Sequence, residues 1–282
     1  MSSSEHALTR RQLLISGAAA AGYALAARPV SARAIKTDAT GLVSGVAAIP
    51  VEDAEISGFY AYPEGAKSAP VALVVHEIFG VHEYIRDVCR RFAKAGYFAV
   101  APDLYQRQGD VATLPDTGRI VREVVMKVPD AQVLADLDAA LAWAGDHEQA
   151  DASRAVITGF CWGGRIVWLY AAHNPQLVAG AAWYGRLVGE PRAETPKHPV
   201  DLAAQLHAPV LGLYGSEDKG IPLATVDEMR RRLSAGGQTS EIVLFPAAPH
   251  GFHADYRPSY RSLAADEGWR RMLAWFESHR AR

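Results

Sequence analysis

Two cysteines, Cys89 and Cys161, stand in a chain of 282 residues. They are too few for a disulfide framework, and with no C-x-x-C spacing they make neither a redox pair nor a cysteine metal site. Charge of one sign is missing too. The 29 basic and 31 acidic residues leave a formal net charge of -2, so no electrostatic footprint for nucleic acid exists and small molecules are the expected partners. No apolar run reads as a firm transmembrane helix, because Leu13 to Ala27 is short and rich in alanine and glycine. Repeats and low-complexity segments are also lacking. At 49% hydrophobic and 21% charged, the composition is that of a soluble globular protein of one domain.

The apolar run Leu13 to Ala27 has a context. Arg10 and Arg11 precede it, and Ala32-Arg33-Ala34 follows with a small-x-small cleavage pattern. The arrangement resembles a twin-arginine export signal over residues 1–34, which implies transient contact with an export machinery, cleavage near Ala34, and a mature domain over 35–282 in the periplasm or outside the cell.

Leu42 to Ile49 and Ala54 to Tyr62 alternate apolar and polar residues, as two antiparallel edge strands do. Val71 to His76 is instead continuously apolar, the mark of a strand covered on both faces. From there strands at Tyr97 to Ala101, Ala155 to Phe160, Val178 to Tyr184, Pro209 to Tyr214 and Glu241 to Phe245 alternate with helical spacing at Glu83 to Ala95, Gly118 to Lys127, Asp130 to Trp143, Gly163 to His173, Leu223 to Ala235 and Arg261 to His279. The expected class is therefore α/β: a mostly parallel sheet with antiparallel N-terminal edge strands and helices on both faces. The last helix is expected to pack Leu263, Trp269, Met272, Trp275 and Phe276, and Cys89 to be buried.

Chemistry concentrates where strands end. Gly159-Phe160-Cys161-Trp162-Gly163 is a nucleophile elbow with cysteine at its centre, glycine being required two residues to either side by the tight strand-to-helix turn. Asp218 and His250 each follow a later strand, giving the order nucleophile, acid, histidine of the α/β-hydrolase fold. In that constellation His250 takes the Cys161 proton and Asp218 fixes the imidazole tautomer. The backbone N–H groups of Trp162 and Ile78 face the developing oxyanion. Glu77, at the end of an apolar strand, needs a partner if buried, and a hydrogen bond to the Cys161 thiol would supply one. His250 and His253 are three apart, but no carboxylate or cysteine spacing completes a metal site, so none is expected. The other histidines, His76 and His82 among them, read as surface or packing residues.

Six segments together resemble the dienelactone hydrolases, also called carboxymethylenebutenolidases: His76-Glu77-Ile78-Phe79-Gly80, Pro102-Asp103-Leu104-Tyr105-Gln106-Arg107, Gly159-Phe160-Cys161-Trp162-Gly163-Gly164, Trp183-Tyr184-Gly185, Gly215-Ser216-Glu217-Asp218 and Pro249-His250-Gly251-Phe252. The resemblance implies an α/β-hydrolase that cleaves a carboxylic ester or lactone without a cofactor, through an acyl-enzyme on Cys161. It implies that Glu77 holds or activates the thiol, that Asp218 and His250 complete the triad, and that Arg107 binds a substrate carboxylate, with Tyr105 and Trp183 also on the substrate side. Two positions depart from the family pattern. Gly251 stands where dienelactone hydrolases proper have serine, and Ala254 where they have a second carboxylate-binding arginine. A catalytically idle binding protein on the same fold is the competing expectation, since fold alone does not carry function.

Overall fold

The computed structural model describes residues 34–280, so the expected export segment at 1–33 lies outside the described residues. Strand β1 (Leu42–Pro50) pairs antiparallel with β2 (Glu55–Pro63), and β2 pairs antiparallel with β4 (Phe98–Pro102). The remaining strands, β3 (Ala69–Val75), β5 (Ala150–Phe160), β6 (Ala179–Trp183), β7 (Val210–Gly215) and β8 (Glu241–Phe245), join β4 in parallel. One sheet results, in the order β1-β2-β4-β3-β5-β6-β7-β8. The seven helices of the described residues are α1 (Glu83–Lys94), α2 (Thr117–Glu123), α3 (Asp130–Gly145), α4 (Trp162–His173), α5 (Pro199–Leu202), α6 (Leu223–Ala235) and α7 (Ser262–His279). Among the described residues no helix is long and apolar enough to cross a membrane.

Successive residues of a strand point to opposite faces, and β2 shows both layers at once. Phe59 lies under the guanidinium groups of Arg86 and Arg90 of α1, while Tyr60 meets Trp143 of α3 at 5.6 Å. Helix α7 joins α1 through Phe92, whose ring is 4.9 Å from that of Trp269. Covered on both faces, β3, β6 and β7 are buried throughout. Their unbroken apolar runs follow from that cover.

The apolar periodicity of the last helix is read correctly for Met272, Trp275 and Phe276, which are buried, but Leu263 is 86% exposed. It lies about two and a half turns before Met272 and so on the opposite face of α7, while Ala265 of the same turn is buried. Helix α5 has no sequence expectation, because four residues show no period; His198 caps it and Pro199 starts it. Cys89 is fully buried, as expected.

Candidate active site

The sheet order places a switch point between β3 and β5: the chain leaves β3 toward β4 on one side and continues from β5 toward β6 on the other. Ligand sites of open α/β sheets form outside such points, at the carboxyl ends of the strands. Glu77 and Ile78 follow β3 there, and Cys161 follows β5.

Cys161 has φ 57° and ψ -113°, a backbone state that costs a non-glycine residue about 1–3 kcal/mol and is kept only where the surroundings enforce it. Here they do. A Cβ on Gly159 would lie 2.4 Å from the Gly163 carbonyl oxygen, and one on Gly163 would lie 2.5 Å from that of Val75. The turn is thus pressed against itself and against the end of β3. The Cys161 N–H donates to the Trp183 carbonyl at 3.0 Å, which ties the elbow to β6.

Asp218 follows β7 and His250 follows β8. Oδ1 of Asp218 accepts the Gly220 N–H at 2.8 Å, leaving Oδ2 to accept from Nδ1 of His250 at 2.7 Å. A carboxylate can only accept, so Nδ1 carries the hydrogen and Nε2 is left to Cys161. Burial alone would lower the His250 pKa, but the negative charges of Cys161 and Asp218, with hydrogen bonds to both, push it up to about 10. Trp162 opens α4, where the first N–H groups have no intrahelical acceptor. Among the described residues, no backbone or side-chain acceptor takes the N–H of Trp162 or of Ile78.

Glu77 is fully buried and charged. Its carboxylate accepts the Tyr256 hydroxyl at 2.5 Å and lies 3.3 Å from Nη2 of Arg257 and 3.5 Å from Nε2 of His82. Burial would raise its pKa, yet the Arg257 charge, His82 and the Tyr256 hydroxyl overcome this and hold it at about 2. These three, rather than the Cys161 thiol expected from the sequence, hold the carboxylate. Arg257 donates from Nε to the Tyr256 oxygen at 2.8 Å, lies over the Phe79 ring and interacts electrostatically with Cys161.

Three substrate-side expectations change. Arg107 is engaged by two carboxylates of the protein: Asp53 in the β1–β2 turn, at 2.7 Å, and Asp136 of α3. A guanidinium so neutralised is not a free cation for a substrate. Trp183 is fully buried, with its ring against Phe160, Phe252 and His253 and close over Gly268. It supports the elbow from the core. Tyr105 is also buried, edge-on to His76 at 4.6 Å and 4.8 Å from Trp162, so it backs the Trp162 side of the site.

His253 turns away from His250. Its Nδ1 bonds the Tyr84 hydroxyl at 2.6 Å, and burial drives its pKa well down. Among the described residues no group of histidine, cysteine and carboxylate side chains could hold a metal ion. His76 and His82, which the sequence presents as packing or surface residues, also flank the site. His76 is fully buried beside Glu77, and His82 reaches Glu77 from the start of α1. A signal for His76 was present: a polar residue closes a continuous apolar strand just before the glutamate.

The model of the dienelactone hydrolase family matches residues 56–280. The chain is 57% identical over 270 residues to a Methylorubrum extorquens protein provisionally named carboxymethylenebutenolidase, covering 95% of this chain and 93% of the relative. It is 49% identical over 259 residues to an Escherichia coli K12 protein with the same provisional name, covering 92% and 95%. A crystal structure of a provisionally named dienelactone hydrolase from Klebsiella pneumoniae is similar with a TM-score of 0.82 and 56% identity, covering 84% of this chain and 98% of the other.

Proposed function

The chain belongs to the dienelactone hydrolase family, and from that premise we propose that it hydrolyses a carboxylic ester or lactone through an acyl-enzyme on Cys161. The observation that carries the mechanism is the line Asp218–His250–Cys161: a 2.7 Å carboxylate–imidazole bond whose far side meets a cysteine held at φ 57°. The thiolate attacks the substrate carbonyl carbon and the C=O electron pair moves onto oxygen. The N–H groups of Ile78 and Trp162 stabilise that oxyanion. When the C–O bond breaks, the imidazolium of His250 gives its proton to the leaving alkoxide, and a thioester remains on Cys161. A water molecule then loses its proton to His250, attacks the thioester, releases the acid and restores the thiolate. Asp218 stabilises the charged imidazole throughout.

Glu77 serves this site through Arg257 and Tyr256, whose positions it fixes. No step calls on a cofactor. The substrate is a small ester or lactone, and the arginine pair with its apolar run supports export of the folded protein to the periplasm or beyond. Replacement of Cys161 by alanine tests the proposal: ester turnover should vanish while the circular dichroism spectrum stays that of the parent. Residual activity within about tenfold of the parent would refute it.

A further inference from the structure

His76 is fully buried and makes two hydrogen bonds of opposite sense. Its Nδ1 lies 2.7 Å from the Glu77 carbonyl oxygen, and its Nε2 lies 3.1 Å from the Leu104 N–H. A carbonyl can only accept and an N–H can only donate, so the hydrogen sits on Nδ1 and the ring is neutral. The imidazole also stacks on the Trp162 indole, with centroids 5.5 Å apart and planes at 16°.

The Glu77 carbonyl and the Ile78 N–H belong to a single peptide group. That group is planar and trans, so the direction of its C=O sets the direction of its N–H on the opposite side. The Gly80 N–H also reaches the Glu77 oxygen, at a longer 3.3 Å. One ring therefore touches both halves of the proposed oxyanion hole: it holds the peptide that carries the Ile78 donor and packs the residue that carries the Trp162 donor. Leu104, in the loop after β4, anchors the ring from outside.

We propose that His76 is a positioning residue for the oxyanion hole, acting through the Glu77–Ile78 peptide and anchored by the Leu104 N–H. The role rests on the acyl transfer at Cys161 proposed above. Without the Nδ1 donor the peptide can rotate, and the Ile78 N–H loses its aim at the place where charge develops. The effect belongs to the transition state, so it falls on kcat more than on KM.

Two amide substitutions separate the two hydrogen bonds. His76→Asn puts an N–H where Nδ1 stands and keeps the bond to Glu77, whereas His76→Gln reaches the Nε2 position and keeps only the bond from Leu104. The measurements are kcat and KM on a p-nitrophenyl ester, the rate of Cys161 alkylation by iodoacetamide, and the melting temperature. Alkylation needs the thiolate but forms no oxyanion. The glutamine variant should lose about ten- to a hundredfold in kcat, short of the 10²–10³ for outright loss of a donor. Its KM should move little and its alkylation rate should stay at the parent value. The asparagine variant should lose no more than about threefold in kcat. If the glutamine variant does not fold, His76→Phe, which keeps the stack on Trp162 but neither hydrogen bond, takes its place with the same expectation. Parent-like kcat in the variants that lack the Glu77 bond overturns the role, as does a fall in alkylation that matches the fall in kcat. If complete alkylation of Cys161 in the parent protein leaves ester turnover intact, the acyl-transfer reading fails and the role falls with it.

Discussion

The hydroxyl of Tyr256 donates to the buried carboxylate of Glu77 at 2.5 Å, across 179 residues of sequence. With Arg257 beside it, this bond joins the end of β3 to the loop that follows the proposed catalytic histidine. A carboxylate that the sequence suggests is paired to the nucleophile is thereby part of a buried ionic cluster, and the cluster makes the first prediction.

Glu77→Gln leaves Arg257 buried without its counter-charge, and losing one partner of a buried pair typically costs about 3–5 kcal/mol. The Glu77 pKa is held at about 2, below its ordinary value of 4.5. A depressed carboxylate contributes stability that is fully present above its unfolded-state pKa and is lost as pH falls through the folded one. Thermal or urea unfolding should thus show the parent more stable than the variant at neutral pH, with the gap closing between about pH 4.5 and about pH 2. A gap that does not change with pH would show that Glu77 contributes by packing alone.

His250 is raised to about 10 by the negative charges around it, against an ordinary value of 6.5. It therefore stays protonated through neutral pH and can give its proton to a leaving alkoxide there. The alkaline limb of kcat/KM is expected near pH 10, and NMR titration of the His250 ring should give the same value. In Asp218→Asn one of the raising charges is gone, so the ring should titrate at lower pH. Turnover should fall by several orders of magnitude, as the comparable change in a serine protease costs about 10⁴. An unchanged titration of His250 in that variant would break the link to Asp218.

The family resemblance implies Arg107 as the cation for a substrate carboxylate, but Asp53 and Asp136 engage it. Arg107→Gln should leave kcat/KM within about threefold of the parent, for dienelactone and for an uncharged lactone alike. Loss of a charge-assisted contact to the substrate would instead cost about ten- to a hundredfold, and for dienelactone alone. That selective loss would return Arg107 to the substrate site.

Much of this architecture is written in local pattern. The run Val71 to His76 announces a strand covered on both faces, and Leu223 to Ala235 and Glu241 to Phe245 coincide with α6 and β8. Burial and helix period act on neighbouring residues, so they leave a readable trace. The elbow is legible for a similar reason, since a Cβ on Gly159 or Gly163 would come within 2.4 and 2.5 Å of a backbone oxygen. Pairing between distant side chains leaves no such trace. Nothing in the order of residues says that Arg107 faces Asp53 and Asp136, or that Tyr256 and Arg257 return to Glu77. Leu263 shows the limit of reading apolar residues without their phase: about two and a half helical turns separate it from Met272, so it faces solvent from the opposite side of α7.

A covalent intermediate at Cys161 is the central species of the proposed mechanism, and it can be weighed. Rapid mixing with p-nitrophenyl acetate, acid quench and peptide mass spectrometry should find one acetyl group on the peptide that carries Cys161. It should form as fast as nitrophenol is released and be absent from Cys161→Ala. Hydrolysis of the ester with no acetyl group on that peptide at any quench time, or with the group on another residue, would contradict the mechanism.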